Sequence, residues 1–164
     1  MMKLTSIRAS YFLGFAACLA IFLYSLYLQF NVGIQPCALC VLQRIVLVSI
    51  GLVFFLGSLF RVHKIAHIAL GLLTTLLSVL GVALAGRQVW IQHFPGQSGD
   101  TCGASLQYML KVLPFTEVLK NIFQGSAECT QIGWRFLSIS LSEWSLFWFV
   151  IFLILSLWQL TKKV

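Results

Sequence analysis

Cys37 and Cys40 stand three residues apart in the stretch QPCALCVLQR, residues 35–44, and Arg44 follows four residues after the second cysteine. Two thiols at that spacing close a very short ring when oxidised. Such a ring serves exchange more often than scaffolding, and the motif commonly favours the thiolate of one member. The thiolate is the species that attacks a disulfide. Spacings of three and four put Cys37, Cys40 and Arg44 on one stripe of a helix, with the guanidinium a turn below Cys40, where it favours negative charge on sulfur. Pro36 suits the first turn of that helix, since its ring presets φ and it has no amide hydrogen to leave unpaired. The alternative for Arg44 is a plain end-of-span arginine that snorkels to lipid headgroups.

The elements that position this group are membrane spans. The chain has 164 residues, 60% of them hydrophobic and only 9% charged, which suits one membrane domain and not a soluble one. No charge falls between Ala9 and Gln43, and within that interval residues 11–30 make about 30 Å of apolar helix. Residues 41–60, 65–86 and 144–160 are three further candidate spans. The expected fold is therefore all-α: a four-helix transmembrane bundle in a single domain over 1–164, with both termini on one side. A cleaved signal peptide is the rival for the N-terminus, but the apolar run reaches Tyr24, Tyr27 and Gln29 without a clear small-residue exit.

Charge orients the bundle. Lys3, Arg8, Arg61, Lys64, Lys162 and Lys163 flank the spans on one side, which the positive-inside rule assigns to the cytoplasm. The net charge of +7 then needs no nucleic acid to explain it. The acidic residues Asp100, Glu117, Glu128 and Glu143 all fall in the loop 87–143, where Arg87, Lys111, Lys120 and Arg135 balance them. That loop lies outside. In it, PFTEVLKNIF (114–123) places Val118, Leu119, Ile122 and Phe123 on one face of a short amphipathic helix, suited either to the bilayer surface or to the top of the bundle.

Of the five cysteines, Cys18 lies inside the first span and reads as a small hydrophobe. Cys102 and Cys129 lie in the outer loop, among Gly96, Gly99, Gly103 and Gly125, so four cysteines face an oxidising compartment, the periplasm of a bacterium. Three connectivities are open to them, and proximity along the chain favours Cys37 with Cys40, which leaves Cys102 with Cys129. As a plain staple, the Cys102–Cys129 loop would contribute roughly 3.5 kcal/mol by chain entropy.

The C-x-x-C followed by x-x-x-Arg at the outer end of the second span, the later cysteine pair and the four spans together resemble the disulfide bond formation protein B (DsbB) family of Gram-negative bacteria. The resemblance runs through PCALCVLQR at 36–44, GRQVWIQHFP at 86–95 and GSAECTQIGWRFL at 125–137, in family order over essentially the whole chain. It implies an enzyme of the bacterial inner membrane that reoxidises a periplasmic DsbA-like dithiol protein and hands the electrons to a quinone, ubiquinone or menaquinone. It further implies that Cys102 forms the mixed disulfide and that Cys129 resolves it or passes the electrons on. Cys40 would face the quinone as thiolate with Cys37 as its exchange partner, and Arg44 would stabilise the charge. No metal is implied. Arg87 and Gln88, with Gln92 and His93, cluster where the third span exits and are secondary candidates for the quinone headgroup site.

Three other readings stay open beside this one: a family variant dedicated to one thiol partner, a zinc-holding scaffold built on the four outer cysteines, and a bundle with two inert disulfides. His63 and Lys64 read as residues of the inner turn and His67 as a packing histidine; Trp90, Trp134 and Trp144 fit an interfacial belt.

Overall fold

In a bilayer a long apolar run can satisfy its backbone only by closing its own hydrogen bonds, which dictates helices for the four spans. The computed structural model describes residues 2–33, 37–59, 64–94, 114, 135–136 and 139–161. Four long helices carry the fold: α1 (Met2–Asn31), α2 (Ala38–Leu59), α3 (Lys64–His93) and α4 (Leu141–Thr161). All four are long and apolar enough to cross a membrane. A two-residue antiparallel ladder precedes α4, β1 (Arg135–Phe136) against β2 (Ile139–Ser140), with Arg135 opposite Ser140. Cys102, Cys129, Pro36, Arg61, His63, Trp134, Lys162, Lys163 and the expected amphipathic segment, Pro114 apart, lie outside the described residues.

The helices pack in chain order, α1 on α2, α2 on α3 and α3 on α4. Between α1, α2 and α3 short connections enforce this, since neighbours joined by few residues must run antiparallel; α3 and α4, joined by a long connection, meet through side-chain packing such as Phe149 against Gly81. Past the end of α1, Gly33 takes φ +75°, the left-handed conformation that glycine adopts without a Cβ penalty. Leu39, Ile50, Phe54, Ile91 and Phe152 fill the interior, while Phe12, Leu13, Leu72, Leu76 and Trp158 point outward. A large apolar exterior of this kind suits lipid as the surrounding solvent.

Close approach of the helices rests on small residues. A Cβ placed on Gly57 of α2 would lie 2.6 Å from the Tyr11 ring of α1, and one on Gly81 of α3 would enter the Phe149 ring of α4. Buried His67 meets Tyr11 edge-on at 6.0 Å, in keeping with a packing histidine. Cys18 is buried too, its Cβ 3.2 Å from where a Cβ on Gly51 would stand, so it fills space between α1 and α2.

The helices overrun the spans read from hydropathy. α3 continues from Gly86 to His93 and α4 begins at Leu141, so the stretch 87–143 is helical at both ends. The reason is local satisfaction: beyond the apolar window Gln88 and Ile91 still turn inward and are buried.

Cys18→Ala is expected to lower stability by no more than about 1 kcal/mol. Gly81→Val, which drives a side chain into Phe149, is expected to cost about 1–3 kcal/mol. Thermal unfolding of the two variants in detergent checks the contrast.

Candidate functional site

The site is built at the start of α2. Val41 N–H donates to Cys37 O at 3.1 Å, which makes Cys37 the residue that caps the helix. Its side chain does the capping as well, because Cys40 N–H donates to Cys37 Sγ at 3.4 Å. The helix thus begins at Ala38, where the sequence placed a start, and a sulfur takes the place usually held by a serine or aspartate oxygen. Cys37 Sγ and Cys40 Sγ lie 2.9 Å apart, a hydrogen-bonded dithiol within easy reach of a bond of roughly 2.05 Å. Cys37 is buried and Cys40 half-buried.

Two carboxamides stand behind the sulfurs. Gln88 of α3 donates from Nε2 to Cys40 Sγ at 3.1 Å and to Cys37 Sγ at 3.6 Å. Its Oε1 accepts from Gln43 Nε2 at 2.6 Å. Arg44, on the same helix as Gln43, turns toward α1, where it donates to Ser25 O at 3.0 Å and to Gln29 Oε1. Arg44 stands one helical turn from Cys40 on α2. The arginine is therefore held inside the bundle by α1, which is more than snorkelling provides.

Beside these groups lies a cavity of about 410 Å³. Its walls come from Ile21, Ser25 and Gln29 of α1, Cys40, Arg44 and Leu47 of α2, Gln88 of α3, and Trp144, Trp148 and Phe149 of α4. A mostly apolar chamber with a few convergent polar groups is the form of a small-molecule site. The spacing that set Cys40 and Arg44 on one stripe points both into this chamber, with Leu47 a further turn along.

Near the start of α4, Ser140 and Glu143 form a reciprocal cap: Ser140 N–H donates to Glu143 Oε2 at 2.6 Å, and Glu143 N–H donates to Ser140 Oγ at 3.4 Å. Gln92 Oε1 accepts from Ser140 Oγ at 3.2 Å and from Ser142 Oγ, which joins α3 to α4. His93 Nε2 stands 3.8 Å from Glu143 Oε1 on the exposed side.

Of the residues singled out from sequence, the structure brings together Cys37, Cys40, Arg44 and Gln88. Arg87 is half-buried and is not among the cavity walls, and Cys102 and Cys129 lie outside the described residues. Sequence reasoning missed Gln43, Ser25 and Gln29, and it set Trp144 in an interfacial belt although its side chain lines the cavity. A signal existed for two of these: Ser25 and Gln29, four apart, share a face of an otherwise apolar span. The S-x-x-E pattern at 140–143 was equally readable as a helix start.

Residues 7–159 match the family described as Disulfide bond formation protein DsbB. Disulfide bond formation protein B 1 of Pseudomonas aeruginosa (strain PAO1) is 39% identical over 162 residues, covering 99% of each chain. Disulfide bond formation protein B of Xylella fastidiosa (strain Temecula1) is 35% identical over 153 residues, 93% of this chain and 88% of the relative. The protein of that name from Stutzerimonas stutzeri is 33% identical over 162 residues, again 99% of each.

Ser140→Ala removes one half of the α4 cap and one of the two serine donors to Gln92, and it is expected to lower stability by about 0.5–2 kcal/mol. Glu143→Gln keeps an acceptor for Ser140 N–H and should cost less. Unfolding midpoints of the two variants, compared in one detergent, decide whether the cap works as described.

Proposed function

The chain belongs to the disulfide bond formation protein B family, and on that premise we propose that this multi-pass thiol oxidoreductase reoxidises a DsbA-like dithiol partner and passes the electrons to a membrane quinone. The observation that carries the reading is the cavity at which Cys40, Arg44 and Gln88 converge between apolar walls. By size and lining it fits a quinone head: flat apolar surface from Trp144, Trp148 and Phe149, a cation for oxygen, and a sulfur at the edge. A quinone bound there supplies the electron sink, taking up two electrons and two protons to become a quinol.

The remaining chemistry belongs to the chain. A thiolate of the reduced partner attacks the Cys102–Cys129 disulfide at Cys102, and Cys129 leaves as thiolate; the partner's second thiol then resolves the mixed disulfide and departs oxidised. The loop now holds two thiols. Exchange with the Cys37–Cys40 disulfide restores the Cys102–Cys129 bond and leaves Cys37 and Cys40 reduced. Oxidation of that pair back to the disulfide releases the two electrons and two protons with which the cycle began. Arg44, braced by Ser25 and Gln29, stabilises negative charge on Cys40 without having to reorganise.

In this reading the single domain sits in the bacterial inner membrane, Lys3, Arg8, Arg61, Lys64, Lys162 and Lys163 face the cytoplasm, and the loop with Cys102 and Cys129 faces the periplasm. Two cysteine pairs are needed because the thiol partner is confined to water and the quinone to lipid. The outer pair reaches one and the inner pair the other.

Alkylation and disulfide mapping in membranes test the relay: all four cysteines are expected oxidised in quinone-replete cells and to accumulate as thiols when quinone is depleted. A redox state indifferent to quinone sinks the proposal. Cys40→Ser should abolish quinone reduction, and Arg44→Ala should weaken quinone use while the protein still inserts and folds. Wild-type quinone dependence in Arg44→Ala removes that residue from the site.

A further inference from the structure

A carboxamide buried in an apolar bundle is costly unless its hydrogen bonds are made, and this bundle buries two side by side. Gln43 is 5% exposed and Gln88 4%. As simple glue between α2 and α3, their mutual bond would be worth little, as an average interhelical hydrogen bond in a membrane is weak. The direction of the pair is what matters. Gln43 presents its N–H to Gln88 Oε1 at 2.6 Å, and the acceptor end of Gln88 is thereby occupied. Only the donor end of Gln88 is left for the sulfurs, 3.1 Å from Cys40 and 3.6 Å from Cys37.

A thiol and a thiolate respond differently to such a neighbour. A thiol can donate to a carboxamide oxygen or accept from its nitrogen, whereas a thiolate can only accept. A Gln88 free to rotate would offer whichever end suited the protonated sulfur. One held with Nε2 toward sulfur favours the anion, and charge-assisted bonds of this kind are the strong ones. Cys40 then has donors on two sides, Gln88 Nε2 at 3.1 Å and the Cys37 thiol at 2.9 Å, and shares its cavity with Arg44 one turn along the helix.

We infer that Gln43 is a positioning residue that locks the Gln88 carboxamide with its N–H groups on the sulfurs, so that Gln88 stabilises the Cys40 thiolate of the reduced pair. The inference rests on Cys37 and Cys40 cycling between dithiol and disulfide, and it holds whatever accepts their electrons. Gln43→Glu is the informative variant. It keeps shape but is acceptor-only when ionised, so Gln88 must turn its N–H groups toward position 43 and its oxygen toward the sulfurs.

The test uses the full chain in detergent, reduced with dithiothreitol and free of quinone, with iodoacetamide alkylation of Cys40 followed by peptide mass spectrometry at pH 7. Gln88→Leu should slow the reaction roughly threefold, because a tenfold fall in thiolate is partly offset by higher intrinsic nucleophilicity. Gln43→Leu should slow it less, and Gln43→Glu at least as much as Gln88→Leu. In a Gln88→Leu background, Gln43→Leu should change nothing further. Unfolding midpoints run in parallel expose a purely structural role, which lowers the midpoint and leaves the rate alone. Wild-type rates in Gln43→Glu, or additive effects in the double variant, overturn the inference; should Gln88→Leu fail to insert, the rate in Gln43→Glu decides alone. A wild-type pair that stays reduced when a quinone or oxidised glutathione is supplied as oxidant after dithiothreitol is removed sinks the proposed function along with this inference, whereas a cycling pair with unresponsive variants sinks this inference only.

Discussion

A guanidinium inside an apolar bundle is tolerated only where neighbouring helices supply acceptors for it, and the site is arranged around that demand from Arg44. Ser25 O and Gln29 Oε1, one turn apart on α1, meet it. The contact ties α1 to α2 at the level of the dithiol and keeps the charge beside Cys40 when it would otherwise reach for headgroups. It also holds open one wall of the cavity. Without acceptors on α1 the side chain would have to leave, and the cavity would lose its only cationic wall among the described residues.

The same rule governs the other polar groups at this end. Gln43 and Gln88 satisfy each other and the sulfurs, and Gln92 gathers the hydroxyls of Ser140 and Ser142. Toward the opposite end of the helices, packing takes over: Gly57 admits the Tyr11 ring, Gly71 lies against Leu160, and His67 stacks edge-on to Tyr11. Close helix contact gives one end its stability, and satisfied polar groups around a chamber give the other its chemistry. At 2.9 Å the two sulfurs at the rim of the bundle need to close by less than 1 Å to reach the length of a disulfide, about 2.05 Å.

Much of the fold could be read without coordinates. The four spans follow from apolar length, since few other structures satisfy a backbone in lipid. Their ends were read less well. Hydropathy stops at the first polar residues, so it ended the third span at Gly86 and began the fourth at Trp144, whereas Gln88 and Gln92 stay helical because partners on α2 and around the start of α4 satisfy them. At the start of α2, Cys37 itself caps the helix through its sulfur, a role rarely assigned to cysteine.

What the sequence by itself determined is what chain spacing controls: four apolar helices, a dithiol with Arg44 two turns of helix from Cys37, and a cysteine at position 18 suited to packing. What only the tertiary structure decided is which distant groups answer the buried polar ones, Ser25 and Gln29 for Arg44, Gln88 for the sulfurs, Gln43 for Gln88, and which aromatic rings close the chamber. The physical reason is that spacing sets neighbours only within a helix. A buried hydrogen bond between helices depends on their relative height and rotation, and those are set by side-chain packing along the whole interface, such as Phe149 against Gly81 and Tyr11 against Gly57, two or more turns from the groups that bond.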